Sequence, residues 1–596
     1  MMKELEYPFE SKYILRKKKT LKKLLLENQK NFRKLRIAVL GGSTTTDIIA
    51  VLELFLLNAG ILPQFYESEY GKFWEDAVFG NDVLDSFCPE VVFIHTSFRN
   101  IKNFPAVLDT EEQVQYKLDE EFEHLRIAWE SLRKRYNCVI IQNNFERPLL
   151  ETLGNQDVSD FRGWANFTSR LNQKLYQYKQ QTPNFFIHDL EGISGEYGLR
   201  KWQDLRYWYL YKYTLHMEAI PEFSYHLFTI IKSIYGKNKK LLILDADNTL
   251  WGGVIGDCGP EGIELGEETS KGQAFKEWQK YVKRLKQQGI LLALASKNQT
   301  ESVENGLAHP DSQLKIDDFS AKQVNWEDKA SNIFSIISEL NLGTDQAVFL
   351  DDNPVEREQV RMNLPEVTVP DASCPEQFIA YLREAHLFEV AAITEEDIKR
   401  TEMYHANQQR EAQKLQFENY EEYLKSLEMK AEIQEFSSLY YDRITQLINK
   451  TNQFNLTTWR ITEEEVKKLA GDENWICITG RLGDKFGDNG IVSVLMAELK
   501  GHTAHIRLLI LSCRVFKRHM EYAMIDDFIC RCKKRAIDEI IGYYYPTEKN
   551  KIVETLYKDL GFMMNSENIE TQRTWKLKVE EYKKRNFVID VEEKDE

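Results

Sequence analysis

Two carboxylates stand two residues apart, Asp245 and Asp247, where the short apolar run of LLILDADNTL ends, and Thr249 follows two further on. A run of that length is expected as a buried parallel strand, and open α/β sheets place ligands at the carboxyl ends of their strands. Side chains two apart on an extended chain point the same way, but the chain bends as the strand ends. One carboxylate can then attack while the other reaches toward a leaving group. The chemistry this suits is phosphoryl transfer. Asp245 is the expected nucleophile, forming an aspartyl-phosphate that divides one hard displacement into two easier ones. Asp247 would donate a proton to the leaving oxygen and later take one from water, with Thr249 orienting the acid and closing the loop. A lone Asp-x-Asp-x-Thr also fits a solvated acidic turn. Three further strand-end elements in chain order argue for a site. Ser296 ends LLALAS and can hydrogen-bond a phosphoryl oxygen. Lys329 opens KASNIFSIISEL and can neutralise charge; Lys322 shares that stretch, but Lys329 starts the helix feeding the next strand and is preferred. Asp351 and Asp352 follow AVFL, where at least one would complete an oxygen shell around Mg²⁺ with Asp245 and the Asp247 carbonyl.

These side chains need a parallel sheet to hold them, and the chain supplies two. LRIAVLGG, VVFIHTS, CVIIQNN and FFIHDL are apolar runs separated by amphipathic stretches, which predicts one α/β domain over residues 32–236 behind a basic helix at 1–31. The same pattern in LLILDAD, LLALASKN, AVFLDDNP and VTVP predicts a second over 237–390. A charged stretch free of Gly and Pro, 391–430, reads as a helical connector. WICITGRL, GIVSVLMAEL, AHIRLLILSC and EIIGYYYP, interrupted by the helix HMEYAMIDDFICRCKKRA, predict an α+β domain over 431–596.

A chain of 596 residues is too long for one core. Its net charge of −16 excludes broad affinity for a nucleic-acid backbone. No apolar run reaches the length of a membrane span, and the N-terminus lacks a secretory signal. The leucines at 21, 24, 25 and 26 among lysines fit a helix docked by those leucines better than one lying on a membrane. Eight scattered cysteines, with no CxxC pair, predict reduced thiols and a cytoplasmic protein.

DADNTLWGGVIGDCGPEGIEL, ASKN, NWEDKASNI and FLDDNPVER together resemble the FkbH-like members of the haloacid dehalogenase (HAD) superfamily, subfamily IIIC phosphatases. The Trp-Gly-Gly-Val-Ile-Gly extension is far more specific than the aspartate motif. GGSTTT near the start and KTNQFNLTTWR, FGDNGIV and SCRVFKRHME near the end carry the resemblance over nearly the whole chain. It implies a bifunctional enzyme in specialised or surface-polysaccharide biosynthesis. Such an enzyme takes a phosphorylated three-carbon acid, loads its glyceryl unit onto the phosphopantetheine thiol of an acyl carrier protein, and removes phosphate. The family often carries Cys before the motif serine; this chain has Ala295, and Cys258 is the thiol nearest the nucleophile loop in sequence.

The flanking blocks carry weaker resemblances. IAVLGGSTTT is similar to the nucleophile turn of SGNH hydrolases, which would make Ser43 a nucleophile with Asn100 or Ser97 as oxyanion donor. The base would be His216, although Tyr213 stands where that pattern has Asp. Binding without catalysis is the favoured reading of this shell. The C-terminal block resembles a GNAT-type acyltransferase, with Arg514 and Tyr557 as candidate cofactor-binding residues, but Lys517 and His519 replace the glycines of the phosphate nest. The expected class is thus multidomain α/β: an SGNH/flavodoxin-like sheet, a HAD-type doubly wound sheet and a GNAT-like α+β domain. Two other functions remain open, a plain phosphatase acting on a sugar-phosphate and an acyltransferase with a structural central domain.

Overall fold

In the computed structural model of the chain, residues 2–27, 32–136, 138–150, 152–391, 400–414, 416–547, 549–568 and 572–592 are described. Two compact units result, Met1–Lys232 with Thr462–Glu465, and Ser233–Ile461 with Val466–Glu596.

The first unit is built on an all-parallel sheet of β1 (Arg33–Gly41), β2 (Ile61–Glu67), β3 (Val91–His95), β4 (Val139–Asn143) and β5 (Phe185–His188), ordered β2-β1-β3-β4-β5. That is the order of flavodoxin-like doubly wound folds. Every residue of β3 and β4 is buried, which explains their unbroken apolar sequences. Sequence reading missed β2, whose Pro63 and mixed polarity suit the edge position that it takes. Ahead of the sheet, the helix Ser11–Glu27 buries Leu21 and Leu25, as a docked helix requires, while Leu24 stays exposed. The last residues of the predicted basic stretch, 28–31, lie outside the described residues.

The second unit holds two sheets. A parallel one, β8-β7-β6-β9, contains β6 (Leu241–Leu244), β7 (Leu291–Ser296), β8 (Ala321–Val324) and β9 (Ala347–Leu350). VTVP was expected as a strand but forms one isolated bridge, Val348 with Thr368, between Pro365 and Pro370. The fourth strand is AKQV, an edge strand with one buried residue and hence no apolar signature.

The other sheet is mixed and has eight strands, β15-β16-β14-β13-β12-β11-β10-β17. In chain order these are β10 (Lys430–Glu435), β11 (Trp475–Asp484), β12 (Gly487–Lys500), β13 (Thr503–Leu511), β14 (Glu539–Tyr544), β15 (Met563–Asn568), β16 (Gln572–Lys578) and β17 (Asp590–Glu592). Four of them match the predicted runs; β10, β15, β16 and β17 are short or polar and were not anticipated. β13 and β14 run parallel but pair only from Thr503–Glu539 to Ile506–Gly542, then separate. The chain's own segment from Phe454 to Thr457 lies between them. Asn455 bridges Ile510, Leu511 N–H donates to Phe454 O at 3.2 Å, and Tyr545 N–H donates to Leu456 O at 2.8 Å.

The charged stretch before this sheet was expected as one continuous helix. It forms two, Arg400–Lys414 and Tyr420–Ser426, the second capped by Asn419; residues 392–399 and 415 lie outside the described residues. It is more than a connector. Tyr404 packs into the core of the β6–β9 sheet, and the buried Arg410 grips the buried Asp484 through two bonds of 2.6 Å. Among the described residues no helix is long and apolar enough to cross a membrane.

Candidate active site

All four residues of β6 are buried, so the strand sits between β7 and β9 with no freedom to shift register. Leu244 pairs with Leu350, and Asp245 N–H still donates to Leu350 O at 3.0 Å. The next residue of each strand, Asp245 and Asp351, therefore leaves the sheet side by side. Lys329 comes from the other flank, as the first residue of the helix Lys329–Glu339. Asp328 caps that helix by accepting from Ser331 N–H at 3.0 Å, which fixes its first turn. The Lys329 Nζ then donates to Asp245 Oδ1 at 2.5 Å and to Ala295 O at 2.7 Å, and lies 3.0 Å from Asp351 Oδ2. Lys322 is exposed on β8 and takes no part in this cluster.

Asp247 faces a different set of partners. Asn248, at φ 53°, turns the chain sharply after it, and the Asn248 side chain accepts from Gly253 N–H at 2.9 Å. Asp247 Oδ1 accepts from Trp251 Nε1–H and Ile255 N–H, both at 3.0 Å, and Oδ2 accepts from Asn298 Nδ2–H at 2.8 Å. Trp251 and Asn298 hold this carboxylate, and although both lie in motifs of the sequence, nothing there marks their pairing with Asp247. Thr249, expected to orient the acid, instead accepts from Asp352 N–H at 3.3 Å, tying the first loop to the third. Arg357, also unassigned, is buried and donates to the carbonyls of Asp351, Asp352 and Ala372, bracing the acidic turn. Ser296 is buried at the carboxyl end of β7, and its carbonyl accepts from Asn325 N–H.

The electrostatics follow from burial. Asp351 is pushed up to about 6, first by burial and then by the neighbouring Asp245 charge. Burial, then Asp245, also raises Asp352. Burial raises Asp247 above the usual carboxylate range against the pull of its three donors. For Lys329 burial opposes the charge, yet Asp245 and Asp351 outweigh it and hold the ammonium above its ordinary value. One carboxylate oxygen from each of Asp245, Asp351 and Asp352 lies within 4.8 Å of the others. Three hard oxygens around one point, next to a single buried lysine, fit a small hard divalent cation.

The structure treats the other candidates differently. Ser43 is buried, and its hydroxyl lies 3.4 Å from Thr214 Oγ1. Asn100 is occupied in shaping the loop: its amide donates to Gly42 O and its oxygen accepts from Ser97 N–H. His216 Nδ1 accepts from Glu218 N–H as a helix cap, and Tyr213 bonds to Asp47. Tyr557 is fully buried, and its ring lies directly beneath Gly542. Arg514 is buried and donates to Ser512 Oγ at 3.1 Å and toward Met403 Sδ. Cys258 is exposed, with Sγ 3.2 Å from Val254 O, whereas the Ala295 position is buried.

A strand-tip aspartate paired to a buried lysine, with two further acids one strand away, fits a HAD-type phosphatase domain. Residues 36–232 match the family described as FkbH, N-terminal domain. Among solved structures, the N-terminal part of the protein BF1531 from Bacteroides fragilis, containing a phosphatase domain and complexed with Mg, is 32% identical. The alignment covers 63% of this chain and 99% of that one, with a TM-score of 0.58. This chain belongs to the FkbH-like family. The ribosomal-protein-S18-alanine N-acetyltransferase from Escherichia coli aligns at 10% identity over 25% of this chain and 94% of that one, TM-score 0.21. The PaiA N-acetyltransferase from Thermoplasma acidophilum, in complex with coenzyme A, aligns at 13% identity over 25% and 99%, TM-score 0.19. No curated protein matches the chain.

Proposed function

We propose that residues 237–390 form a Mg²⁺-dependent phosphatase domain in which Asp245 accepts the phosphoryl group, flanked by domains at 32–236 and 431–596 that serve binding. One observation carries the reading: Lys329 joins Asp245 and Asp351 in a buried cluster that Asp352 completes. The relative from Bacteroides fragilis, complexed with Mg, supports the choice of metal. Mg²⁺ held by Asp245, Asp351, Asp352 and the Asp247 carbonyl would lower the repulsion between carboxylate and phosphate.

The chain's own groups do the rest. Lys329 removes charge from Asp245 and from the phosphoryl oxygens as the Asp245 Oδ–P bond forms and the ester P–O bond breaks. Asp247, raised by burial, supplies the proton that the leaving oxygen takes, and then withdraws one from the water that opens the aspartyl-phosphate. Trp251, Asn298 and Ile255 N–H hold that carboxylate on course through both steps. Ser296 stands at the β7 terminus to donate to a phosphoryl oxygen.

The substrate we infer is a phosphorylated three-carbon acid, with glyceryl transfer to an acyl carrier protein as the coupled step; family membership supports this. A second reading, phosphate release alone, is favoured by Ala295, which puts a methyl group where a relay thiol would stand. Acyl transfer by the C-terminal domain is disfavoured by the buried Tyr557 and by the segment lying between β13 and β14. Purified protein incubated with Mg²⁺ and bisphosphoglycerate, with and without carrier protein, separates the readings by the mass of the carrier. A glyceryl shift supports transfer. Phosphate release with an unmodified carrier leaves the phosphatase alone.

A further inference from the structure

The four strands of the central parallel sheet each deliver one residue to its carboxyl edge. Directly after β6, β7, β8 and β9 stand Asp245, Lys297, Asn325 and Asp351. Asp245 and Asp351 belong to the acidic cluster, and Asn325 ties its loop to Ser296 O and to Asn332. Lys297 is the one cation of the four, and the phosphoryl chemistry described above does not use it.

Among the described residues Lys297 Nζ has one hydrogen-bond partner, Glu356 Oε1 at 2.7 Å. Glu356 lies in the first turn of the helix Pro354–Asn363, which follows β9. β7 and β9 are not neighbours, because β6 runs between them. With strands about 4.8 Å apart, the pair spans two strand spacings across the end of β6, where Asp245 and Asp247 stand. Both of its anchors are fixed on the site. Asn298, next to Lys297, donates to Asp247 Oδ2 at 2.8 Å, and the N–H of Asn353, the cap of the Glu356 helix, donates to Asp351 Oδ1 at 2.8 Å. The pair therefore bridges the mouth in which a phosphate ester must lie.

It is also a pair that breaks easily. The Lys297 side chain is 36% exposed and that of Glu356 15%, and ion pairs with this much access to water contribute little to stability. The fit is incomplete on the acid's side, since Glu356 Oε2 is buried and completes no hydrogen bond among the described residues. Lys329, by contrast, is 2% exposed and held between Asp245 and Asp351, so it is not available to a group outside the cluster. Asp328, which also feels the Lys297 charge, is committed to Ser331 N–H as a helix cap. An ammonium on a flexible four-carbon stem carries three donors and can turn from one acceptor to another. What Lys297 holds in this structure is a carboxylate. Replacing it by a carboxylate of the substrate exchanges like for like and frees Glu356 to turn to water, which satisfies Oε2. An alcohol in the same place offers no charge to exchange.

We propose that Lys297 is a specificity-determining residue of this site: its ammonium binds a carboxylate that the substrate carries beside its phosphate ester, and Glu356 holds that place until the substrate arrives. The inference rests on the phosphatase reading above and adds to it the residue that recognises the acid. No covalent bond is made or broken at Lys297.

The full chain with Mg²⁺, assayed on 3-phosphoglycerate and on glycerol 3-phosphate, tests this, because the second compound has an alcohol where the first has its acid. The wild type should favour the acid at least tenfold in kcat/KM, the scale of one charge-assisted hydrogen bond, and Lys297→Met should erase that preference through KM. Glu356→Gln removes the competing carboxylate and should lower KM for the acid at least twofold relative to KM for the alcohol. A preference absent from the wild type or retained in Lys297→Met overturns the proposal, as does an unchanged KM ratio in Glu356→Gln. Turnover of both compounds without discrimination removes the role of Lys297 alone, whereas phosphate release from neither removes the phosphatase reading with it.

Discussion

Lys329→Met isolates what the buried ammonium does. In the chain as it stands, one cation that is 2% exposed lies between Asp245 and Asp351, themselves largely or wholly buried. Methionine keeps most of the volume and removes the charge, so two carboxylates face each other without a partner. Breaking a buried ion pair by deleting one member costs about 3–5 kcal/mol. For a domain of this size each kcal/mol lowers the midpoint by about 2–4 °C, so the melting transition should fall by roughly 6–20 °C in chelator. Added Mg²⁺ supplies the missing positive charge and should narrow that gap, beyond the ~2.7 kcal/mol that any ligand at a hundred times its Kd contributes. Calorimetry of both proteins, with chelator and with saturating Mg²⁺, reads the difference. Asp351→Asn on the Lys329→Met background should restore part of the loss, because it removes one of the two charges that the lysine balanced. A gap below 2 °C, or one equal in chelator and in Mg²⁺, refutes the electrostatic account of this cluster. Turnover in Mg²⁺ should stay about 10²–10³-fold below wild type, since the metal does not replace the donor to the phosphoryl oxygen.

Other outcomes follow from the same geometry. Asp245→Asn should abolish phosphate release while retaining the fold; full activity in that variant eliminates Asp245 as nucleophile. Asn298→Ala removes a charge-assisted bond to Asp247 and should lower kcat about 10–100-fold with little change in KM, measured by steady-state kinetics. Asp351 ionises near pH 6 instead of its ordinary 3.8, so its neutral form is favoured in the folded chain. Its contribution to metal-free stability is present below about pH 4 and lost as pH rises through about 6. Mg²⁺ needs the ionised form, so the thermal shift caused by Mg²⁺ should be large at pH 7.5 and nearly absent at pH 5; an equal shift at both sinks the assignment. Gly542→Ala would place a Cβ 2.4 Å from the Tyr557 ring and should destabilise the C-terminal sheet by about 1–3 kcal/mol without altering phosphatase turnover, as calorimetry and a phosphate assay would show.

The amino-acid sequence determined the strand ends. Apolar runs followed by Asp245, Ser296 and Asp351 define buried parallel strands whatever surrounds them, because such runs have no other low-energy place, and their order along the chain announces a phosphoryl-transfer site. It also separated Lys329 from Lys322, since Lys329 opens the helix that feeds the next strand. Strands of mixed polarity such as β2 and β8 were not legible, because an edge strand is held by backbone pairing more than by its own side chains. Nor was the division of labour around Asp247, where Trp251 and Asn298 lie 4 and 51 residues away. His95 and Thr214, 119 residues apart, meet near Ser43 only because parallel strands place their carboxyl ends at one edge and a later loop folds over it. Contacts between segments distant in the chain depend on register and on how loops return. Those are set by the packing of the whole sheet, so only the tertiary structure decided them.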